Sequence, residues 1–253
     1  MEIKVSIIIC TYNRANYIAK ALDSILMQTY QNYEVLVVDD ASSDNTEEVV
    51  KKYLPQDARI KYFKNSNNLG IARSRNKGVG LAQGEYIAML DSDDYWLSAD
   101  KLAKQIAVLE LDKAVGLIGT GIICIDENDK EIKKDIFAVG DYDIRSRILA
   151  KNQFMQSSVV FRKEAYKLAG GYQEKFIVCE DLDLWLAIGN KYKFANLIEP
   201  MVAYRLHSGG ISKSRKLEIA KTTDEIIDKY KKNYPHYLRA KFKSLLRIIF
   251  SYF

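Results

Sequence analysis

The stretch Tyr86-Ile87-Ala88-Met89-Leu90-Asp91-Ser92-Asp93-Asp94-Tyr95-Trp96 joins an apolar run to a cluster of carboxylates. The run Tyr86–Leu90 is typical of a strand buried on both faces of a sheet. Ligands of an open α/β sheet bind beyond the carboxyl ends of its strands, where crowded carboxylates need a compensating cation. Mg2+ or Mn2+ suits such oxygen ligands and often bridges to substrate phosphates. Taken alone, the stretch equally permits a polar loop in which Asp91 or Asp93 caps the next helix.

Two earlier strands end in polar residues in the same way. Val5–Cys10 leads into Thr11-Tyr12-Asn13, and Tyr33–Val38 leads into Asp39-Asp40. Residues with helical spacing follow each strand, and four such alternations in about 110 residues predict βαβ units with a mainly parallel sheet. Right-handed crossovers then place helices on both faces. The three polar strand ends should therefore meet at one edge of the sheet, which scattered helix caps would not explain.

Composition limits the class of protein. The chain has 253 residues, 48% of them hydrophobic, and three cysteines without paired or metal-type spacing. We therefore expect reduced thiols and a cytoplasmic location, with no signal peptide and no membrane-spanning segment. Residues 213–253 contain eleven Lys/Arg and four Asp/Glu, so the positive charge lies in the tail. Nothing in the rest of the chain predicts a nucleic-acid partner.

After residue 125 the regular alternation stops. Gln156–Phe161 is predicted to be a strand, and Cys179–Leu186 begins a helix with the acidic residues Glu180 and Asp181 in its first turn, where the helix dipole favours them.

Together these motifs resemble family 2 glycosyltransferases of the GT-A fold. The resemblance covers roughly residues 3–210, in the order and near the spacing of the family. One departure is Cys10, where the family commonly has proline. The matching segments are Val5–Arg14, Val37–Asp44, Asn68–Gly70, Arg75-Asn76, Leu90–Asp94 and Glu180–Trp185.

The resemblance implies a GT-A domain over residues 1–212, Rossmann-like, with a nucleotide-binding half (1–95) and an acceptor half (96–212). Residues 213–253 would form a basic, amphipathic helical extension, leaving catalysis to residues 1–212.

The implied activity is transfer of a sugar from a nucleotide donor, usually a UDP-sugar, with inversion at the anomeric carbon. Tyr12 would stack on the base and Asp40 would accept the uracil imide N–H; alternatively, Tyr12 is a packed core aromatic and Asp40 a loop cap. Arg75 would lie beside the nucleotide or be a solvated helix charge. The implied nucleotide-binding residues are Thr11, Tyr12, Asn13, Asp40, Arg75 and Asp91.

The same resemblance implies Mn2+ or Mg2+ as cofactor, with Asp93 as its ligand. His207 would complete the metal or diphosphate shell, unless it is a structural histidine, and 208–212 would act as a flexible cover. Asp181 would be the general base that deprotonates the acceptor hydroxyl, and Glu180 would steer substrate hydroxyls. Both acids could instead be ordinary first-turn acids. Gln156-Ser157-Ser158 would lie on the acceptor side or be ordinary strand polarity.

Two other classes share some of these features. A sugar nucleotidyltransferase also pairs a nucleotide with acidic metal ligands, but it would need a glycine-rich N-terminal loop, and Thr11–Asn16 contains no glycine. A non-catalytic binding module could retain the fold. Because every acidic cluster is intact, we expect a transferase acting on a glycan or lipid-linked acceptor.

The tail is predicted to form two helices, Leu217–Lys232 and about Tyr237–Phe253, separated at Pro235. The second has an apolar stripe flanked by basic residues, which suits a membrane interface. The stripe could equally pack on the catalytic domain or on a second subunit as a homodimer contact. If the stripe contacts the membrane, the protein would be cytoplasmic and peripheral on the inner face of that membrane. The stripe residues are Leu238, Phe242, Leu245, Leu246, Ile249 and Phe253.

Overall fold

A computed structural model describes residues 3–207, 209–210 and 214–251. The strands are β1 (Val5–Thr11), β2 (Tyr33–Asp39), β3 (Ile60–Lys64), β4 (Tyr86–Asp91), β5 (Tyr95–Trp96), β6 (Val115–Ile125), β7 (Glu131–Asp135), β8 (Val160–Arg162) and β9 (Lys193–Arg205). The helices are α1 (Ile18–Leu26), α2 (Thr46–Lys51), α3 (Ile71–Leu81), α4 (Lys101–Leu111), α5 (Asp141–Ile148), α6 (Lys163–Ala169), α7 (Glu180–Gly189), α8 (Lys216–Lys229) and α9 (Tyr237–Phe250).

The strands form one mixed sheet in the order β3-β2-β1-β4-β8-β6-β9-β5, with β7 paired to β6. Strands β3, β2, β1 and β4 are parallel. Strand β8 runs antiparallel between β4 and β6, and β6 is parallel to β9. The prediction of a mainly parallel sheet is confirmed for the half that contains the motif strands.

Hydrophobic cores lie on both faces of this sheet. Side chains alternate along β1, so that Ile7 and Ile9 join one core while Ile8 joins the other. The first core is completed by α1 and α4, and the second by α3, α7 and α8. Helices therefore cover both faces, as the sequence predicts.

The polar strand ends meet at one edge because β1 lies between β2 and β4. Thr11 is the register partner of Asp39, and Cys10 is the register partner of Asp91. The carboxylate cluster after β4 is thus next to the Thr11-Tyr12-Asn13 loop.

The predicted strand over Gln156–Phe161 is wrong in its first half. Gln156–Ser158 forms a turn of 3-10 helix, and the strand is confined to Val160–Arg162. The turn directs the Ser157 hydroxyl to the end of β4, where it accepts a hydrogen bond from the Asp91 N–H at 3.0 Å. The conformation of Gln156–Ser158 depends on polar contacts at the site, and sequence periodicity does not reveal such contacts.

The first tail helix, α8, is part of the main core. Ile226 and Ile227 are fully buried in the cluster that contains Trp185 of α7. Nζ of Lys229 lies 2.6 Å from Oδ1 of the buried Asp183, also on α7. The tail therefore shares its core with the acceptor half; the expected boundary between residues 212 and 213 lies outside the described residues.

The second tail helix, α9, presents a different surface. Its line of small residues, Ala240 and Ser244, is buried, whereas the predicted apolar stripe is exposed from Leu238 to Ile249. Phe253, the last residue of that stripe, lies outside the described residues. Across the described parts of the chain, no helix has the length and apolar character needed to cross a bilayer.

Candidate active site

A buried arginine joins the two acidic motifs. Arg75, on α3, donates from Nη2 to Oδ1 of Asp91 at 2.7 Å and from Nη1 to Oε1 of Glu180. Its guanidinium lies over the ring of Tyr172, 5.6 Å from the centroid. Arg75 is therefore not the solvated helix charge considered above. It holds the end of β4 against the start of α7.

Two carboxylates, Asp91 and Glu180, share this one guanidinium, and the carboxylate of Asp181 adds further negative charge to the buried site. Burial raises the pKa of Glu180 to about 7; the charge of Arg75 opposes this shift and that of Asp181 adds to it. Burial also raises the pKa of Asp91 and of Asp181 above their ordinary values, again against the influence of Arg75. The site thus holds carboxyl groups that accept protons more readily than solvated ones.

Asp181 is the acid of this group that no cation contacts directly. Its Oδ1 accepts the Leu182 N–H at 2.7 Å and its Oδ2 accepts from Asn152 at 3.3 Å. No ion pair to Asp181 occurs among the residues that the structure describes. Glu180, in contrast, is committed to Arg75. Of the two predicted catalytic residues, Glu180 pairs with a cation and Asp181 accepts only neutral hydrogen-bond donors.

A second cluster forms around Asp93. Its Oδ2 lies 2.9 Å from Nε2 of His207 and 3.2 Å from Nε of Arg14. Burial opposes ionisation of Asp93, but the hydrogen bond from His207 and the charge of Arg14 outweigh it and lower the pKa. The two predicted metal ligands therefore lie together although 114 positions separate them.

The donor atoms of this cluster suit the expected cofactor. A carboxylate oxygen and an imidazole nitrogen can both bind Mn2+, and hard ions usually leave several positions to water and phosphate. Within 3–207, 209–210 and 214–251, no group of three or more His, Cys, Asp or Glu side chains could hold a metal ion. From the described part of the chain, the ligands would then be Asp93 and His207, and the metal role of both remains a prediction.

The loop that carries Asp93 is fixed by its neighbour, Asp94. The buried Asp94 carboxylate accepts the Arg205 N–H at 2.8 Å and the hydroxyl of Ser157. Burial, together with the charges of Asp93 and Asp91, raises its pKa well above the ordinary value. Nε of Arg205 also donates to the Asp93 carbonyl at 3.0 Å. Sequence reasoning assigned no role to Asp94 or Arg205.

The predicted base-binding residues follow β1. Tyr12 is 45% exposed, so it is not a core aromatic, and its ring is available for stacking. Thr11 is buried, and its Oγ1 has no hydrogen-bond partner among the residues that the structure describes. Asn13, with φ of 54°, accepts the Ser43 N–H at 2.9 Å and braces the loops after β1 and β2. Of these residues, Tyr12 is the one with an exposed side chain, whereas the Thr11 hydroxyl is buried.

Asp40 acts as a cap in the structure. Its Oδ1 accepts from Asn65 and from the Leu69 N–H, both at 2.8 Å, and its Oδ2 accepts the Gly70 N–H at 2.9 Å. Gly70 has φ of 87°, a conformation that favours glycine. The predicted contact of Asp40 with a base would have to use a remaining lone pair.

Arg14 is another residue of this cluster to which sequence reasoning assigned no role. Besides Asp93, it contacts the Gly209 carbonyl at 3.2 Å, so it links the loop after β1 to the segment after β9. The sequence did contain a signal for this role: Arg14 directly follows Asn13, at the sheet edge where the carboxylates were expected to meet.

Comparison with known proteins identifies the family. The sequence profile described as Glycosyl transferase family 2 matches residues 6–173. The chain belongs to glycosyltransferase family 2. A relative from Escherichia coli, named UDP-Glc:alpha-D-GlcNAc-diphosphoundecaprenol beta-1,3-glucosyltransferase WfaP, is 32% identical over 229 residues, which are 87% of this chain and 84% of the relative.

Solved glycosyltransferases share the fold of this one. S. aureus TarS 1-349 in complex with UDP-GlcNAc superposes with a TM-score of 0.75 at 22% identity, covering 96% of this chain and 72% of TarS. The mannosyltransferase PcManGT from Pyrobaculum calidifontis, in complex with GDP-Man and Mn2+, gives 0.72 at 20% identity, covering 98% and 75%. The GT-A fold expected from the sequence, with C-terminal helices added, is therefore confirmed. Family membership decides against a sugar nucleotidyltransferase.

Proposed function

We propose that this glycosyltransferase moves a sugar, with inversion, from a UDP-sugar to a hydroxyl group of a glycan or lipid-linked acceptor in cell-envelope polysaccharide synthesis. The arrangement at the sheet edge carries the proposal: Arg75 draws the acids of β4 and α7 together, and Asp181 remains without a cation. The name of the E. coli relative supports a UDP-sugar donor and a lipid-linked acceptor. The solved complexes with UDP-GlcNAc and GDP-Man support a nucleotide-sugar donor of either base.

The nucleotide would be held at the end of β1. The exposed ring of Tyr12 can stack on the base, and Thr11, whose side chain is buried at the end of β1, would line the pocket beneath it. Asp91, whose second oxygen is not taken by Arg75, can accept from a ribose hydroxyl. Asn13 and Asp40 would keep the surrounding loops in place through the contacts described above.

Asp93 and His207 would hold Mn2+ or Mg2+, with the donor diphosphate and water as the remaining ligands. Such an ion stabilises the charge that develops on a diphosphate leaving group. Arg14, next to Asp93, adds a fixed positive charge on the same side of the site.

The reaction needs one base and no covalent intermediate. The acceptor oxygen attacks the anomeric carbon while the bond from that carbon to the diphosphate breaks. The hydroxyl proton passes to Asp181, and the nucleoside diphosphate leaves with the bonding electrons. The raised pKa of Asp181 suits this role, because it brings the acid closer to working pH. Glu180, held by Arg75, would orient a substrate hydroxyl.

Turnover of the Asp181→Asn variant tests this proposal. With a panel of UDP- and GDP-sugars and Mn2+, the wild type should release nucleoside diphosphate. Asp181→Asn should lose about 100-fold or more, typical of general-base removal, with UDP affinity by calorimetry nearly unchanged. The matched control is Asp183→Asn on the same helix; Asp183 pairs with Lys229 instead of facing the site.

Each result decides a specific question. Wild-type rates in Asp181→Asn would place the base elsewhere, with Glu180 as first candidate. UDP binding without turnover of any donor by the wild type would favour a non-catalytic binding module.

A further inference from the structure

The exposed face of α9 is apolar and lies opposite the face that packs on the protein. The apolar side chains on it are between 37% and 79% exposed. On a helix of 14 residues this is a large unpartnered apolar surface. Its residues are Leu238, Phe242, Leu245, Leu246, Ile249 and Phe250.

The rotation of α9 about its axis is fixed by the contacts of its other face. Ala240 and Ser244, four residues apart, are buried and allow the helix to lie close to its support. Lys241 bonds to Asp224 and Asp228 of α8 at 2.6 and 2.7 Å. Arg247 donates to the Ala150 carbonyl at 2.6 Å. The apolar face cannot turn inward without breaking these contacts.

The charges that α9 itself carries are all positive. Helix α9 carries four Lys/Arg and no Asp or Glu. Lys241 is neutralised by the two aspartates of α8, whereas Arg239 and Lys243 are exposed and form no ion pair with any residue that the structure describes. Helical spacing places both beside the apolar stripe.

We propose that this face of α9 docks on the surface of an anionic lipid bilayer. An apolar helix face with basic flanks is the pattern of helices that lie in the membrane interface, where the apolar side chains enter the acyl boundary and the cations meet lipid phosphates. A second copy of the chain fits less well. Two α9 helices face to face would bring together Arg239 and Lys243 of each copy, four cations in all, without any acid on either helix.

Vesicle flotation with the full chain tests the proposal. The protein should float with vesicles rich in phosphatidylglycerol at low salt, bind phosphatidylcholine vesicles much less, and be released at high salt. Arg239→Gln combined with Lys243→Gln should lower partitioning roughly 30-fold, since each nearby cation contributes about 1 kcal/mol and 1.4 kcal/mol is tenfold. Phe242→Ser combined with Ile249→Ser should abolish flotation.

The control variant is Leu111→Ser, which removes an 89%-exposed leucine at the end of α4 and should float like the wild type. Circular dichroism should show all these variants folded, because every substituted side chain is exposed. Equal binding to both vesicle types, or wild-type flotation of the Phe242/Ile249 variant, would overturn the proposal. The proposal would also be overturned if the wild type did not float and instead formed a concentration-dependent dimer in light scattering that the Phe242/Ile249 variant abolished. That result would assign the face to self-association. Flotation does not depend on turnover, so it stands apart from the test of the proposed activity.

Discussion

Replacing Arg75 with methionine should destabilise the protein far more than replacing its neighbour Arg73. The side chain of Arg75 is 6% exposed and pairs with two carboxylates, Asp91 and Glu180. Methionine keeps most of the volume of the stem, so the change removes charge and hydrogen bonds with little change in packing. It leaves buried acids without a cation.

The expected loss of unfolding free energy is about 3 kcal/mol. Removing one partner of a buried ion pair usually costs about 3–5 kcal/mol, because the remaining charge stays buried without compensation. The side chain of Asp91 is 27% exposed and retains some water, which favours the lower end of that range. For a chain of this size, about 3 kcal/mol corresponds to a fall in melting temperature of roughly 6–12 °C.

Chemical denaturation and thermal melting of Arg75→Met and Arg73→Met provide the measurement. The side chain of Arg73, the control, is 56% exposed and pairs with Glu174, whose side chain is 49% exposed. Such surface pairs contribute about 0–1 kcal/mol. The two variants differ only in which arginine of α3 is lost, so the difference between them isolates the buried ion pairs.

The destabilisation should also depend on pH. Arg75 opposes the effect of burial on Glu180, so its loss should raise the pKa of this group beyond about 7. A carboxyl whose folded pKa exceeds its unfolded value costs stability as pH rises towards the folded pKa. The gap between variant and wild type should therefore widen above pH 7. A loss no larger than that of Arg73→Met, or a gap that narrows with rising pH, would refute the structural role assigned to Arg75.

Four further predictions concern other parts of the chain. Asp93→Ala should remove the dependence of UDP affinity on Mn2+ in calorimetry; equal wild-type UDP affinity with Mn2+ and with chelator would exclude the metal role. Turnover should fall as the pH decreases, because burial raises the pKa of Asp181 and protonation removes the base, and because Glu180, with a pKa raised to about 7, loses the charge with which it would orient a substrate hydroxyl; a rate that is flat from pH 5 to pH 8 would contradict this. Lys101 is buried, and burial lowers its pKa well below the ordinary value. The stability of the wild type relative to Lys101→Met should therefore increase as pH rises above 7, by at most about 1.4 kcal/mol per pH unit. A stability difference that does not change with pH would show that Lys101 is charged in the folded protein. Ile226→Ala should cost about 2–5 kcal/mol, whereas Ile249→Ala on the exposed face should cost almost nothing; similar losses would show that the two tail helices are packed alike.

The sequence by itself determined the parallel half of the sheet and the meeting of its polar strand ends. Buried strands such as Val5–Thr11 and Tyr86–Asp91 consist mostly of apolar residues and end in a polar one. Chain connectivity and right-handed crossovers then allow few arrangements of these strands. The motifs at their ends could therefore be assigned to one edge before any contact was known.

Tertiary structure alone decided which of the acidic residues form an ion pair with an arginine and which do not. Arg75 lies 105 positions from Glu180, and Arg14 lies 79 positions from Asp93. No local pattern distinguishes Arg75 from Arg73, yet one is buried between two carboxylates and the other is exposed. Pairing of this kind depends on which side chains meet in three dimensions, and the local sequence holds no record of it.

The tail shows the same division. The sequence predicted two amphipathic helices but left open what their apolar faces contact. Periodicity gives the direction of an apolar face along its own helix, not the surface that it meets. The fold buried Ile226 and Ile227 of α8 against α7. In α9 it placed the small residues Ala240 and Ser244 inward, because only small side chains fit that close contact, and so left the larger apolar residues exposed.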